Sequence, residues 1–588
     1  MKKVFYLPLC VLVACTGCNK DNPFNNGMAD WNEAGSTSGV TGATTIAVST
    51  DEEDLISGTN FDRTITIHFN EGGQAAVKGD ANNIVKVSGN QVTADNTSTS
   101  EKVKYELSGS TSNGFFKVYS KNKQAIVLSD VSISNPGGAA INNQGKKRCF
   151  VVVNGTNSLA DGNSYTQTPE NEDEKAAFFS EGQLIFSGSG SLTVTAKGKA
   201  GITSDDYLHF MASPTIKVTS NAGHAVRGKD AVIVSDGVLE AIATQAMKKG
   251  VASDSLVLFN GGVTTVNVSG GTAYDDEDQE FKASAGVKAD LLFVMNAGTL
   301  TVTNSGSGGK GISGDGPGYF QGGTVTVNVT GSNYGQSSSG MGRPGQTSSS
   351  SSSSDDDSSK SAKGIKFDGD IYISGGSLSA KSSNHEAIES KGKIEITGGT
   401  VYAQSKDDAI NSAGMLAITG GSVCAYSTGN DGIDANGNLF IEGGVVYAVG
   451  CGGAENAIDA NTEGGYRLYV NGGVLFALGG LENGSVLSQN CYQASSWSKN
   501  TWYSLSVGSD TYCFKTPSSG GTGLVVSASS EPAVLSGVTP SGGTSVFGGL
   551  GVLDGSASGG NSVNLSAYSS GSGMGGPGMG GPGGGRGW

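Results

Sequence analysis

A lone β-branched residue, set in a Gly- or Ala-bearing turn, recurs at Ile202, Val226, Val251, Val287, Ile312, Ile365, Ile388, Ile410, Ile433 and Ile458. Successive gaps are 24, 25, 36, 25, 53, 23, 22, 23 and 25 residues. The two long gaps hold visible insertions, an acidic one around Ala273 to Phe281 and a Ser/Gly-rich one over 332–361. Without them the period is 22–25 residues. Between turns runs a strand that ends in Gly-Gly and continues as apolar-x-Ala, as in Ile394 to Ala403, Met415 to Ala425 and Leu439 to Ala448. So short a period, built from strands and Gly turns with no 3.6-residue pattern, specifies an all-β chain. The fold expected is a right-handed parallel β-helix, a β-solenoid of about 22–25 residues per rung. Its hand follows the usual crossover preference, and its rungs stack at about 4.8 Å.

Alternation then fixes the faces. Ile394, Ile396, Val401 and Ala403 should point inward, with Leu416, Ile418, Val423 and Ala425 directly above them. No rung has a core alone; stacking supplies a continuous one. Gly accounts for 95 of 588 residues but follows no three-residue period, and Pro numbers only 12, which excludes collagen. Lys and Arg number 37 against 53 Asp and Glu, a net charge of −16. Nucleic acid and anionic lipid are therefore poor partners, and cations good ones.

The chain opens with Lys2 and Lys3 ahead of an apolar stretch, Val4 to Ala14, which reads as an export signal too short to span a bilayer. Leu12-Val13-Ala14-Cys15 resembles a lipobox, with cleavage after residue 14 and acylation of Cys15; Cys18 is the alternative anchor. A lipid-anchored protein of the bacterial cell envelope, displayed on the outer-membrane surface, is expected. The remaining divisions are a polar tether (15–43), opening rungs and cap (44–175), and the β-helix proper (176–480) with its insertion at 332–361. A C-terminal β region (481–567) and a disordered Gly-rich tail (568–588) follow. Cys149, Cys424, Cys451, Cys491 and Cys513 show no metal spacing. Cys491 and Cys513 could pair in an oxidising compartment, but an odd count argues for buried small apolar residues.

Three runs carry a family resemblance: Lys175 to Val194, Gly201 to Asp206, and Val226 to Asp230. In order and spacing they resemble the calcium-binding, pectate-lyase-like β-helix carbohydrate-binding domains of bacterial surface proteins, over residues 44–480. That resemblance implies calcium as cofactor and an acidic plant-type polysaccharide, such as polygalacturonate, as partner, bound without turnover. In one departure, His224-Ala225-Val226 stands where the family has Asp-Gly-Ile.

The acids give this reading a physical basis. Three or four positions after each turn residue stands an Asp: Asp205 and Asp206, Asp230, Asp254, Asp290, Asp315 and Asp368. Stacking makes them a column along one edge. Farther on, acids flank the turn residue instead, at Glu386, Glu389, Asp408, Asp431, Asp434 and Asp459. Two carboxylates one rung apart repel by roughly 3 kcal/mol at an effective dielectric of about 20. A hard cation with oxygen ligands relieves that repulsion. Any single Asp also suits a tight turn; with the resemblance added, Asp205, Asp206, Asp230 and Asp254 are the expected calcium ligands.

Arg227 and Lys229, beside Asp230, are candidate partners for an anionic sugar. Tyr402, Tyr447 and Phe476 share one outward register, with Cys424 between them, and form a candidate sugar-stacking strip. Histidines are scarce, and neither a Ser/His/Asp order nor a zinc spacing appears, so no catalytic residue is assigned. The expected function is calcium-dependent carbohydrate binding at the cell surface. The alternative is a β-helix polysaccharide lyase or hydrolase, using stacked carboxylates or a base at Arg227 or Lys229.

Overall fold

The computed structural model describes residues 45–571, apart from 167, 168, 170, 171, 336–359 and 454. The signal segment, Cys15 and Cys18, the polar tether, most of the Ser/Gly-rich insertion and most of the tail lie outside the described residues. Among the described residues there is no α-helix, and parallel strands stack into a β-solenoid of about 14 turns.

Each regular coil carries three strands. In one coil these are Ala200–Ser204, Tyr207–Phe210 and Thr215–Ser220, which define walls A, B and C. The next coil lies in register above, Val226 over Ile202, Val232 over Leu208 and Leu239 over Ile216. On wall A the ten turn residues form one column from Ile202 to Ile458. The column continues backwards through Phe178, Ile141 and Phe116 to Val92. Aromatic residues fill two of those earlier positions, which hides the period from a search for β-branched residues.

The expected inward stacking is present. Ile394 and Ile396 pair with Leu416 and Ile418, and Val401 and Ala403 with Val423 and Ala425, all 0% exposed. On wall A, simple alternation breaks once per coil. The Gly or Ala before the turn residue also faces the core: Ala225, Ala387, Ala409 and Ala457 belong to it. At Gly201 a Cβ would sit 2.2 Å from Val218 Cγ1. Two successive inward residues put the positions two before and one after the turn residue on the same outer face, where Ala176, Ala200 and Phe179 meet.

The Gly-Gly pair turns the corner between walls B and C, and its two members are glycine for different reasons. A Cβ at Gly420 would lie 2.5 Å from the Thr397 carbonyl oxygen of the coil below. Gly421 has φ +78°, a left-handed conformation that side chains disfavour.

Two segments cover the outer faces of wall B and of the C-terminal coils of wall C. On wall B, Ile46, Val48, Ile56 and Phe61 pack over the outward apolar residues Phe150, Ile185, Ile233 and Leu258. On wall C, Tyr402, Cys424, Tyr447 and Phe476 occupy one register as expected. However, Tyr503, Leu505, Phe514 and Phe547 of the C-terminal region close over them. Tyr402 is 6% exposed and Tyr447 0%, with the Tyr447 hydroxyl donating to the Lys515 carbonyl at 2.9 Å. The expectation that Tyr402 and Tyr447 stack on sugar is therefore corrected: an outward aromatic ladder is apolar surface, and here the chain buries it against itself. Cys491 and Cys513 are both buried, and all five described cysteines are free thiols.

Replacing Gly420 by Ala should destabilise the stack by about 1–3 kcal/mol, because the Thr397 carbonyl is backbone and cannot step aside. Gly58→Ala, with nothing within 4 Å of its Cβ position, should change stability by under about 0.5 kcal/mol. Chemical denaturation of both variants checks the pair.

Candidate functional site

Wall B and the C-terminal coils of wall C are covered, whereas wall A presents its two outward positions per coil along the stack. The charged side chains there and at the adjoining corner towards wall B fall into three stretches.

The first contains the expected calcium ligands, and the structure divides them. Asp206 and Asp230 occupy equivalent positions on adjacent coils, with the Asp230 N–H donating to the Asp206 carbonyl at 3.0 Å. The Asp206 carboxylate accepts from Gln183 Nε2 at 2.6 Å and from the Tyr207 N–H at 3.0 Å. Burial, and then the charge of Asp230, push its pKa up to about 6. Asp230 is also raised, mainly by burial, with Asp254 and Asp205 adding to the effect and Lys229 opposing it. Asp205 lies one position earlier and joins Asp173 and Glu181 instead, their oxygens within 4.8 Å of one another. Lys175 Nζ bridges Asp205 at 2.5 Å and Asp173 at 2.9 Å. Asp205 Oδ1 is buried with no hydrogen-bond partner. Asp254 binds Arg227 through both oxygens, at 2.6 and 2.9 Å. The four expected ligands thus stand apart in two columns, with Asp206 and Asp230 in one of them. Asp205 and Asp254 follow their turn residues by three positions and Asp206 and Asp230 by four, so they stand in different columns. Lys229 interrupts the first column and is exposed.

The middle stretch is basic, and sequence reasoning missed it. Arg227, Lys288 and Lys366 follow their turn residues by one; Lys249, Lys310 and Lys363 precede theirs by two. All but Lys363 line, with His224, a cleft of about 450 Å³, closed on one side by Phe281 of the hairpin Ala273–Asp275 and Glu280–Lys282. The acidic insertion is that hairpin. The signal was available, since these cations share the offsets already noted for the acids farther on.

In the last stretch the same two positions turn acidic. Lys363, fully buried, stands at the border and binds Glu389 at 2.7 Å and Glu386 at 3.2 Å. Beyond it Asp408 and Asp431 stack, the Asp431 N–H donating to Asp408 Oδ1 at 3.1 Å. Asn411 Nδ2 donates to Asp408 at 3.0 Å and to Asp434 at 2.8 Å. Burial first, and then neighbouring carboxylates, raise Asp408 and Asp431 to about 8 and Asp434 to about 7. Among the described residues His385, Glu386 and Asp407 also cluster with oxygens and nitrogen within 4.8 Å.

One arrangement crosses walls. Asp54, from the N-terminal segment, accepts from Tyr207 Oη and His209 Nδ1, both at 2.6 Å, and pairs with Arg148 Nε at 2.7 Å. The other His209 nitrogen meets Ser235 Oγ at 2.8 Å. Asp54 and His209 are buried on wall B beneath the segment, which they clamp to the coils. Linear order could not reveal this row, because 155 residues separate its acid from its imidazole.

Residues 88–245 and 304–409 match the model of a family described as carbohydrate-binding domain-containing protein. The match is to carbohydrate binders. No curated protein matches the chain. Among solved structures, a polysaccharide lyase-like protein from C. thermocellum, solved as a gadolinium derivative, aligns at 19% identity with a TM-score of 0.35. That alignment covers 45% of this chain and 96% of that one. The family model extends over the first stretch, both ends of the cleft and the start of the last stretch.

The raised carboxylates fix a sign for pH dependence. A folded-state pKa of about 8 for Asp431 means that its contribution favours folding in acid and is lost as pH rises from about 4 to about 8. Asp431→Asn, studied in chelator, should therefore stabilise the protein by about 1–3 kcal/mol at pH 8 and by almost nothing at pH 4. Denaturant titration at the two pH values checks this; equal effects at both would exclude the repulsion.

Proposed function

We propose that the protein is a lipid-anchored surface lipoprotein, held through Cys15, that binds an acidic polysaccharide along the outer face of wall A. Calcium at Asp206 and Asp230 bridges the protein to carboxylates of a chain such as polygalacturonate. The observation that carries this reading is the linear array itself. Charged side chains recur at fixed offsets coil after coil from Asp205 to Asp459, the pattern that a linear polymer with a repeating charge can follow. The family match supplies the carbohydrate class.

Asp206 and Asp230 suit a hard cation. They are two half-buried carboxylates at stacked positions, both raised mainly by burial, with Asp230 adding to the shift at Asp206 and Asp254 and Asp205 to that at Asp230. Nearby, Asp205 Oδ1 lacks any hydrogen-bond donor. Calcium binds oxygen donors of this kind and, when bound, supplies positive charge between two anionic partners. In this reading Asp206 and Asp230 hold the ion, Gln183 and the Tyr207 N–H orient the Asp206 carboxylate, and exposed Lys229 meets the sugar beside them. Arg227 is fixed by Asp254 and forms the start of the basic stretch.

The double variant Asp206→Asn/Asp230→Asn keeps size and turn propensity but removes both charges. Titration calorimetry should show calcium affinity lowered at least tenfold and polygalacturonate affinity lowered with it, towards that of the parent in chelator. Without calcium the variant should be as stable as the parent or slightly more so. Unchanged calcium binding would eliminate the site, and polygalacturonate binding indifferent to calcium would eliminate the bridge. Release of unsaturated oligosaccharides would place the protein among lyases instead.

A further inference from the structure

The basic stretch is not needed for calcium bridging, and it is an unusual feature on a chain of net charge −16. Its layout is regular. Arg227, Lys249, Lys288, Lys310 and Lys366 come from five successive coils, one from each. They alternate between the two outward columns of wall A, so the charges form a zigzag along the stacking axis. The gaps are filled by small residues, Ala252 and Ser313 in one column and Ala285 in the other. Those small residues leave the cleft of about 450 Å³ open above the cations.

The members differ in how they are compensated. Arg227, Lys288 and Lys366 each pair with an aspartate on the flanking column, at Asp254, Asp315 and Asp368 respectively. Lys249 and Lys310 have no carboxylate partner among the described residues. Lys249 Nζ donates to the Met247 carbonyl at 2.8 Å, and Lys310 Nζ to the carbonyls of Gly308 and Ser361. Lys310 is only 4% exposed. Burial, and then neighbouring lysines, lower the two ammonium groups to about 8 and about 7. A buried ammonium held by carbonyls alone and facing a cleft lacks a negative charge that a ligand can provide. The two stand two coils apart, roughly 10 Å, close to the rise of two linked pyranose rings in an extended chain.

We infer that this cleft is an anion subsite for a linear polyanionic glycan lying parallel to the stacking axis, whose carboxylate or sulfate groups meet Lys249 and Lys310 directly. The inference rests on the carbohydrate reading above and adds a contact that requires no calcium. Carboxylates and sulfates share the chemistry the lysines recognise, and the two sources are separated by the glycan used.

The test is binding in excess chelator, which silences the calcium route. The full-length protein is titrated with polygalacturonate, a sulfated glycan and a neutral glucan. The parent should bind at least one polyanion, more weakly at higher salt, and should not bind the neutral chain. Lys249→Gln/Lys288→Gln, both partly exposed positions, should weaken that binding at least tenfold; Lys217→Gln on wall C should leave it unchanged. Lys310→Met, which removes an uncompensated buried charge without emptying the space, should weaken binding while keeping the fold, followed by circular dichroism. A preference for polygalacturonate assigns the subsite to carboxylates, and a preference for the sulfated chain assigns it to sulfates. Binding by the parent only when calcium is present, or unchanged affinity in the lysine variants, overturns the subsite and leaves the calcium reading standing. Failure to bind any glycan with or without calcium overturns both.

Discussion

Each coil hydrogen-bonds in parallel register to the coil before it, so a residue's neighbour in space is its counterpart one period away in sequence. All else in the molecule depends on this. Where the repeated residue is apolar, as in the column from Val92 to Ile458, like stacks on like and the core becomes continuous along the rod. Where it is glycine, as at Gly398, Gly420, Gly443 and Gly472, the same corner is turned in successive coils at nearly the same close distance. Where it is charged, stacking forces like charges together, and the structure must answer for each one.

It answers in several ways. Arg227 and Lys288 take partners from the aspartate column, Lys363 sits between two glutamates, and Lys175 bridges Asp173 and Asp205. Among the described residues Asp408, Asp431 and Asp434 have no cationic partner of this kind, and they hold their protons well above the usual carboxylate range. Lys249 and Lys310 lose theirs more readily than ordinary lysines. Wall A and the corner beside it thus carry electrostatic demand left over, acidic at both ends and basic between them. The N-terminal segment covers wall B, and the C-terminal sheet covers the last coils of wall C.

The coverings also show how chemistry is hidden in chain order. Asp54 reaches His209 only because its segment crosses wall B, and Tyr447 becomes core only because Phe514 and Phe547 return from the C-terminal region to lie on it. Neither contact has a local signature: the residues involved lie far apart in sequence and belong to different structural repeats.

The period of 22–25 residues determined the coil, its register and its inward residues, since stacked strands admit only one face for a given parity. The same arithmetic placed Asp206 over Asp230, and it also placed Asp205 and Asp254 in another column, a consequence contained in the offsets of three and four. The acids flanking later turn residues and the lysines at the same offsets are equally legible in the sequence, since both follow from the period. Tertiary structure alone decided which outward faces remain outward. Aromatic residues at Tyr402, Tyr447 and Phe476 look alike in sequence whether they await a sugar or a packing partner, because both bury apolar surface. Only the path of the distant segments settles which outer faces are covered, and it leaves wall A, with its charges, open.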